Sequence, residues 1–349
     1  MKTSYVSSTA ISQALRYSMM KMQTDLVTAQ KESTTLRVAD VGLALGARTG
    51  ETVSLARDVS RLNGIIDSNS LVSSRLSSTQ TILSQLTDRA ETLRSTLSAA
   101  VSGSSDHSVL QADGAAMLGL LTSTLNTSIN GQFLFAGINT DVKPVADFSD
   151  PASPGKVAFD TAFQAYFGFA QTDAAAATIT STQMDDFLTN VVEPQFLGAG
   201  WNANWSSATD EAIVSRITLN ETTETSVSAN ISGIRKLAMV AAITSELMKG
   251  PLNAGAAAAL SERALTLVNE GIAEVTAQQT MTGVAQQRVN NASERLETQV
   301  NLFEKTISDM EGVDPYEAAT KVSALVSQIE TAYALTSRIQ QLSLLKFMG

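Results

Sequence analysis

Apolar residues recur along residues 55–100 in steps of three and four. Leu55, Val59, Leu62 and Ile65 open the series, followed by Val72, Leu76, Leu83, Leu86, Leu93 and Leu97, with Asn69, Thr79, Ala90 and Ala100 at the intervening positions. Such spacing keeps one narrow stripe on one side of a helix and suits coiled-coil packing. It predicts a continuous helix from about Glu51 to Val101, roughly 75 Å long at the α-helical rise. Gly103 and Asp106 then supply a stop and a new cap. Leu110, Met117, Leu121, Leu125 and Ile129 mark a shorter second helix. Asn69 interrupts the stripe; it is either a polar pair that sets register or a polar residue facing a wet gap.

A matching pattern returns near the other end. Val289, Leu296, Val300, Phe303 and Ile307, with Ala285 and Ala292, predict a helix running from near Ala256 to Gly312. In "EGVDPYEAA" Gly312 ends that helix, Asp314 caps the next and Pro315 suits its first turn. The last helix runs to Phe347, with Val322, Leu325, Ile329, Ala332, Leu335, Ile339 and Leu342 along one face. At the N-terminal end Leu15, Met19, Met22, Leu26, Ala29 and Leu36 form a comparable stripe, followed by the Gly-rich "VGLALGARTG". Both ends share one plan, which places the first and last helices side by side.

Between the arms the periodicity changes. "INGQFLFAGINTD" reads as an Asn130-Gly131 turn with a short apolar strand, and Pro144, Pro151 and Pro154 mark loops. "VAFDTAFQAYFGFA" and "MDDFLTNVV" read as short helices, residues 212–229 as a β-hairpin, and "GIRKLAMVAAITSELM" as helix again. The expected fold class is mainly α with a small β component. Both arms form a long antiparallel, coiled-coil-like helical rod, and a small mixed central domain lies between them. The expected domains are a terminal helix pair (1–40 with 315–349), a helical rod plus β-hairpin (41–137 with 206–312) and an outward-facing central domain (138–205).

Composition sharpens that division. Twelve of the 18 aromatic residues fall between Phe133 and Trp205, so a ring-filled core is expected there and aliphatic seams elsewhere. Residues 139–212 carry ten acidic side chains against Lys143 and Lys156, which accounts for most of the net charge of −10. No basic stripe is available to neutralise phosphates, so nucleic acid is not an expected partner. The absence of cysteine excludes disulfides and thiol chemistry. Neither a cleavable signal peptide nor an 18-residue apolar run is legible, so no membrane partner is expected.

Candidate chemistry is sparse. His107, the only histidine, sits in the Ser-rich break and reads as a surface or capping residue. "GAGWNA" lacks the strand and βαβ surroundings of a dinucleotide loop, and "GARTGETVSL" lacks a Gly-Lys-Ser/Thr core. Asp185 and Asp186 are adjacent and diverge on a helix. No nucleophile, base and orienting group can be assembled, so neither an enzyme nor a cofactor or metal site is expected.

The terminal stripes pose a different problem. A short amphipathic helix takes most of its stability from packing, and each unburied Leu or Ile forgoes about 1.5–3 kcal/mol. Two paired helices still leave flanks uncovered. The expected assembly interface therefore comprises Leu15, Met19, Met22, Leu26 and Leu36 from the first helix, with Ile329, Leu335, Ile339, Leu342, Leu345 and Phe347 from the last. Further copies of the same chain would cover it.

With the terminal helix pair, the missing cysteine and the ending "SRIQQLSLLKFMG", the chain resembles the bacterial flagellin superfamily over about residues 1–140 and 200–349. Within it, "NGQFLFAGINT" (130–140) and "WNANWSSATDEAIVSRITLNETTETSVSANISGIRKLAMV" (201–240) resemble the hook-associated junction members better than flagellin. "RVADVGLALGARTGETVSL" also departs from the Asn- and Asp-rich loop usual in flagellins. The resemblance implies an extracellular flagellar protein, exported unfolded through the flagellar type III channel with no cleaved signal. Its implied partners are itself, a hook-associated junction protein on the hook side, flagellin on the filament side and an export chaperone on the C-terminal helix. Flagellin itself and a coiled-coil signalling or scaffold protein are the alternatives.

Overall fold

The computed structural model describes residues 8–103 and 106–348, with side chains described between residues 10 and 338. The fold is mainly α with a small β part. In chain order the first elements are α1 (Ser8–Thr35), α2 (Val41–Leu45), α3 (Thr49–Val101) and α4 (His107–Leu125). Two short strands follow, β1 (Ser128–Ile129) and β2 (Gln132–Phe133), then α5 (Pro154–Phe167), α6 (Ser181–Phe187), α7 (Glu193–Phe196) and α8 (Gly200–Asn204). A second hairpin, β3 (Val214–Arg216) and β4 (Thr222–Glu224), precedes α9 (Ser232–Leu247), α10 (Ala254–Glu311) and α11 (Pro315–Met348). Ile129, expected in helix, lies in β1: the helix stops at Leu125 because the chain turns at Asn130-Gly131, whose φ angles of 53° and 79° suit a two-residue hairpin.

The chain divides into two compact units, residues 65–295 and residues 1–64 with 296–349. Within residues 65–295, α3 and α10 run antiparallel. Asn69 bonds to Ser293, Ser73 to Asn290, and Gln80 lies against Gly283, so rising numbers on one helix meet falling numbers on the other. Val72, Leu76, Leu83, Leu86, Leu93, Leu97 and Val289 are all buried, and Ile65 is half-buried. From Ile82 onward the α3 stripe enters a large continuous core with α4, α9 and the first half of α10. Helix α9 is buried on nearly every side from Ile234 to Leu247, which is why its sequence lacks a polar face. Gly114 on α4 lets the α9 backbone approach: a Cβ there would lie 2.2 Å from Thr244 Oγ1 and 2.8 Å from Ser245 N. Arg89 on α3 reaches Asp113 on α4 at 2.8 Å, and Thr96 donates to the same carboxylate. On α9, burial works against the Lys236 charge, but its bonds to Glu270 and Glu274 on α10 outweigh that and hold the ammonium above its ordinary value.

The aromatic segment belongs to the same core. Phe148 stacks on Trp205 at 4.5 Å, Trp205 on Trp201 at 5.8 Å, and Phe163 meets the edge of Phe187 at 5.5 Å. Lys156 on α5 pairs with Asp160 and with buried Glu246 on α9. The two runs singled out in the sequence pair with each other through the Ala136–Ser228 bridge and the Thr209 amide, which donates to Ala136 O. Gly137 has φ +68°, and a Cβ there would lie 2.3 Å from Thr209 Oγ1, so only glycine fits. Asn230 is the hub. Its Oδ1 accepts from Trp201 Nε1 and Ser206 Oγ, while its Nδ2 donates to Ala208 O and Asp210. Arg235 donates to the carbonyls of Phe196 and Gly198 and lies over the Trp201 ring.

Asn69 makes a polar pair across the helix seam, though with Ser293 and not with a second asparagine. It is buried, and its Nδ2 donates to Ile217 O at 2.9 Å and to Ser293 Oγ at 3.1 Å. The β3–β4 turn and Ser293 on α10 meet the polar gap in the stripe through the Asn69 amide nitrogen.

Candidate assembly surface

The terminal pair lies within residues 1–64 and 296–349. Helix α1 ends where Leu36 takes φ 53°. The extended stretch after it pairs with the link between α10 and α11: Val38 N donates to Glu311 O, Val313 N donates to Leu36 O, and Arg37 pairs with Glu311. Asp314 caps α11 by accepting from the amides of Tyr316 and Glu317, as a helix opening on Pro315 requires. Asp40 caps α2 in the same way. Helices α1 and α11 are antiparallel, since Glu32 meets Lys321 and Gln23 meets Tyr333.

Their contact seam keeps the three-four spacing. On α1 Leu15, Met19, Met22 and Leu26 are half-buried and Ala29 is fully buried; on α11 Ala318 is buried, and Val322, Leu325, Ile329, Ala332 and Thr336 are half-buried. Beneath the α3 and α10 ends of this unit, Leu62, Leu296, Val300 and Ile307 are buried, while Leu55, Val59 and Phe303 are half-buried. Of the stripe residues expected to form the assembly interface, Leu15, Met19, Met22, Leu26 and Ile329 are half-buried along the helix pair of one chain. Leu36 and Leu335 are exposed. Ile339, Leu342, Leu345 and Phe347 lie outside the residues whose side chains are described.

A second set of apolar side chains faces away from the seam. Met20 and Val27 are each 66% exposed, Tyr17 74%, Tyr316 86% and Leu43 87%, with Val326 also outward. Sequence reasoning missed this set because Tyr17, Met20 and Val27 fall between the stripe positions. The signal that could have found them is the second apolar residue of each pair, as in Met19-Met20 and Leu26-Val27, which widens the apolar arc beyond a two-helix seam.

Among the described residues no group of three or more His, Cys, Asp or Glu is placed to hold a metal ion, and no helix is long and apolar enough to cross a membrane. His107 is half-buried at the start of α4, beside the capping Asp106, whose carboxyl is drawn below its ordinary value by the Ser108 amide and hydroxyl.

The sequence matches the family model for the bacterial flagellin N-terminal helical region over residues 6–140 and that for the bacterial flagellin C-terminal helical region over residues 265–348. Together these span well over half of the chain. No curated protein matches it at a significant level. Among solved structures, the fold is similar to one assigned as a flagellar hook-associated protein from Vibrio parahaemolyticus, with a TM-score of 0.52 and 13% sequence identity, over 76% of this chain and 97% of that one. The terminal helix pair, the long antiparallel helices and both family matches agree: the chain belongs to the bacterial flagellin superfamily of flagellar proteins.

Proposed function

We propose that the chain is an axial structural protein of the flagellum that forms the layer joining hook to filament and adapts one to the other by self-assembly. The observation that carries self-assembly is the one-sided cover of the terminal pair: α1 and α11 bury one stripe against each other and leave Tyr17, Met20 and Val27 in solvent. Exposed apolar faces of this kind mark association sites, and sister subunits of a closed layer supply a matching face. The junction reading over flagellin rests on the runs 130–140 and 201–240, which resemble junction members, and on the likeness to the hook-associated structure. The flagellin reading fits both family matches equally.

In the junction reading, residues 1–40 with 315–349 assemble, 41–137 with 206–312 form the stem and 138–205 face solvent. The subunit meets a hook-associated protein on one side and flagellin on the other. It leaves the cell unfolded, with a chaperone holding its C-terminal helix. It has no catalytic role.

A strain deleted for the gene separates the readings. The junction role predicts complete hooks, no filaments and flagellin accumulating unpolymerised in the medium. Loss of flagellin from the medium altogether, with no other filament subunit secreted, makes this chain the filament subunit.

A further inference from the structure

The β3–β4 hairpin sits where the large core of residues 65–295 gives out. The continuous core begins at Ile82 on α3 and ends at Val275 on α10. Next to it the two helices share a small separate cluster of Val72, Leu76, Val289 and Ala292, completed by Ile217 of the hairpin turn. Two antiparallel helices with so thin a seam would open readily on their own, since local stability follows local apolar contact.

Three contacts tie the hairpin turn across both helices at this height. The Ile217 side chain is fully buried between them. Its carbonyl accepts from Asn69 on α3, whose amide nitrogen also donates to Ser293 on α10. Glu221, at the far end of the turn, takes Arg288 at 3.1 Å and Arg295 at 3.0 Å, both on α10. The turn is braced internally, as Ile217 N donates to Glu221 O. The ion pairs are partly exposed and individually weak; the buried Ile217 and the buried Asn69 bond are the stronger anchors.

We propose that the β3–β4 turn is a clasp that makes the stretch 66–76 of α3 and 286–293 of α10 open only together with the large core. Asn69 is its receiving site. A polar residue is kept in the α3 stripe because its amide must hold a backbone carbonyl of the clasp.

Native-state hydrogen exchange on the full-length protein tests this with two substitutions on the hairpin, neither on the helices being read. Ile217→Ala is expected to speed exchange of amides in 66–76 and 286–293 by about tenfold or more, with 83–97 and 234–247 unchanged. Glu221→Ala, which leaves the buried anchors in place, is expected to speed the same two stretches by about two- to threefold. The proposal is overturned if either variant leaves both stretches unchanged. It is equally overturned if either variant speeds the core stretches as much as the clasped ones.

Discussion

Asn230 shows how much one polar side chain can organise. Every hydrogen-bonding capacity of its amide is used, and its partners come from the Trp201 ring, the 206–210 loop and Asp210. Buried polar networks of this kind specify a unique packing only when all members are satisfied. Asn230→Ala strands the Trp201 Nε1 donor and the Ser206 hydroxyl, and is expected to cost about 2–4 kcal/mol. Urea unfolding followed by tryptophan fluorescence reads that loss directly. In the sequence Asn230 was one of many asparagines; nothing in its spacing distinguished it, because its partners lie 20–29 positions away through irregular chain. Asn69 was visible as a break in a stripe, yet its partner is a backbone carbonyl 148 positions on, which no helical period encodes.

At the level of elements, the long helices were legible because their stripes repeat over many turns and their ends carry chemistry: Asp106, Asp314 with Pro315, and Gly312. The β1–β2 turn was equally legible from Asn130-Gly131, a pair that tolerates positive φ. The outward face of α1 was not, since a stripe says which residues pack first and not how wide the apolar arc becomes. The two faces make opposite predictions. Met20→Ser combined with Val27→Ser changes only outward positions, so it is expected to raise the concentration needed for assembly about tenfold or more, with unchanged circular dichroism. Ala29→Leu forces a large side chain into the buried seam. It is expected to destabilise the α1–α11 pair by about 1–3 kcal/mol, seen as an earlier loss of helix on heating. If the outward double substitution assembles normally, the outward face is not what sister subunits cover.

At the scale of the whole molecule, the sequence showed two helical arms around an aromatic middle, and both family matches fall on those arms. The middle was legible as ring-rich and acidic, but its integration was not. Phe148, Phe159, Phe187 and Trp205 share one hydrophobic core with Leu83, Leu93 and α9, brought together by loops, a π-helical turn at 188–192 and helices of four to fourteen residues. The short helices α5 and α6 were legible from their runs, but the loops between them carry no period, so packing rather than pattern decides how they join. In the proposed role, assembly places the greatest demand on the terminal helices, which take cover from one another on one side only.

Hydrogen exchange of residues 8–35 and 315–338, compared between dilute monomer and assembled layer, tests that demand most directly. One-sided cover predicts fast exchange in the dilute protein and slowing of at least about a hundredfold on assembly, because the missing contacts arrive with the neighbours. Slow exchange already present in the dilute monomer, unchanged on assembly, would mean that the terminal pair is complete in a single chain and has no need of a sister subunit.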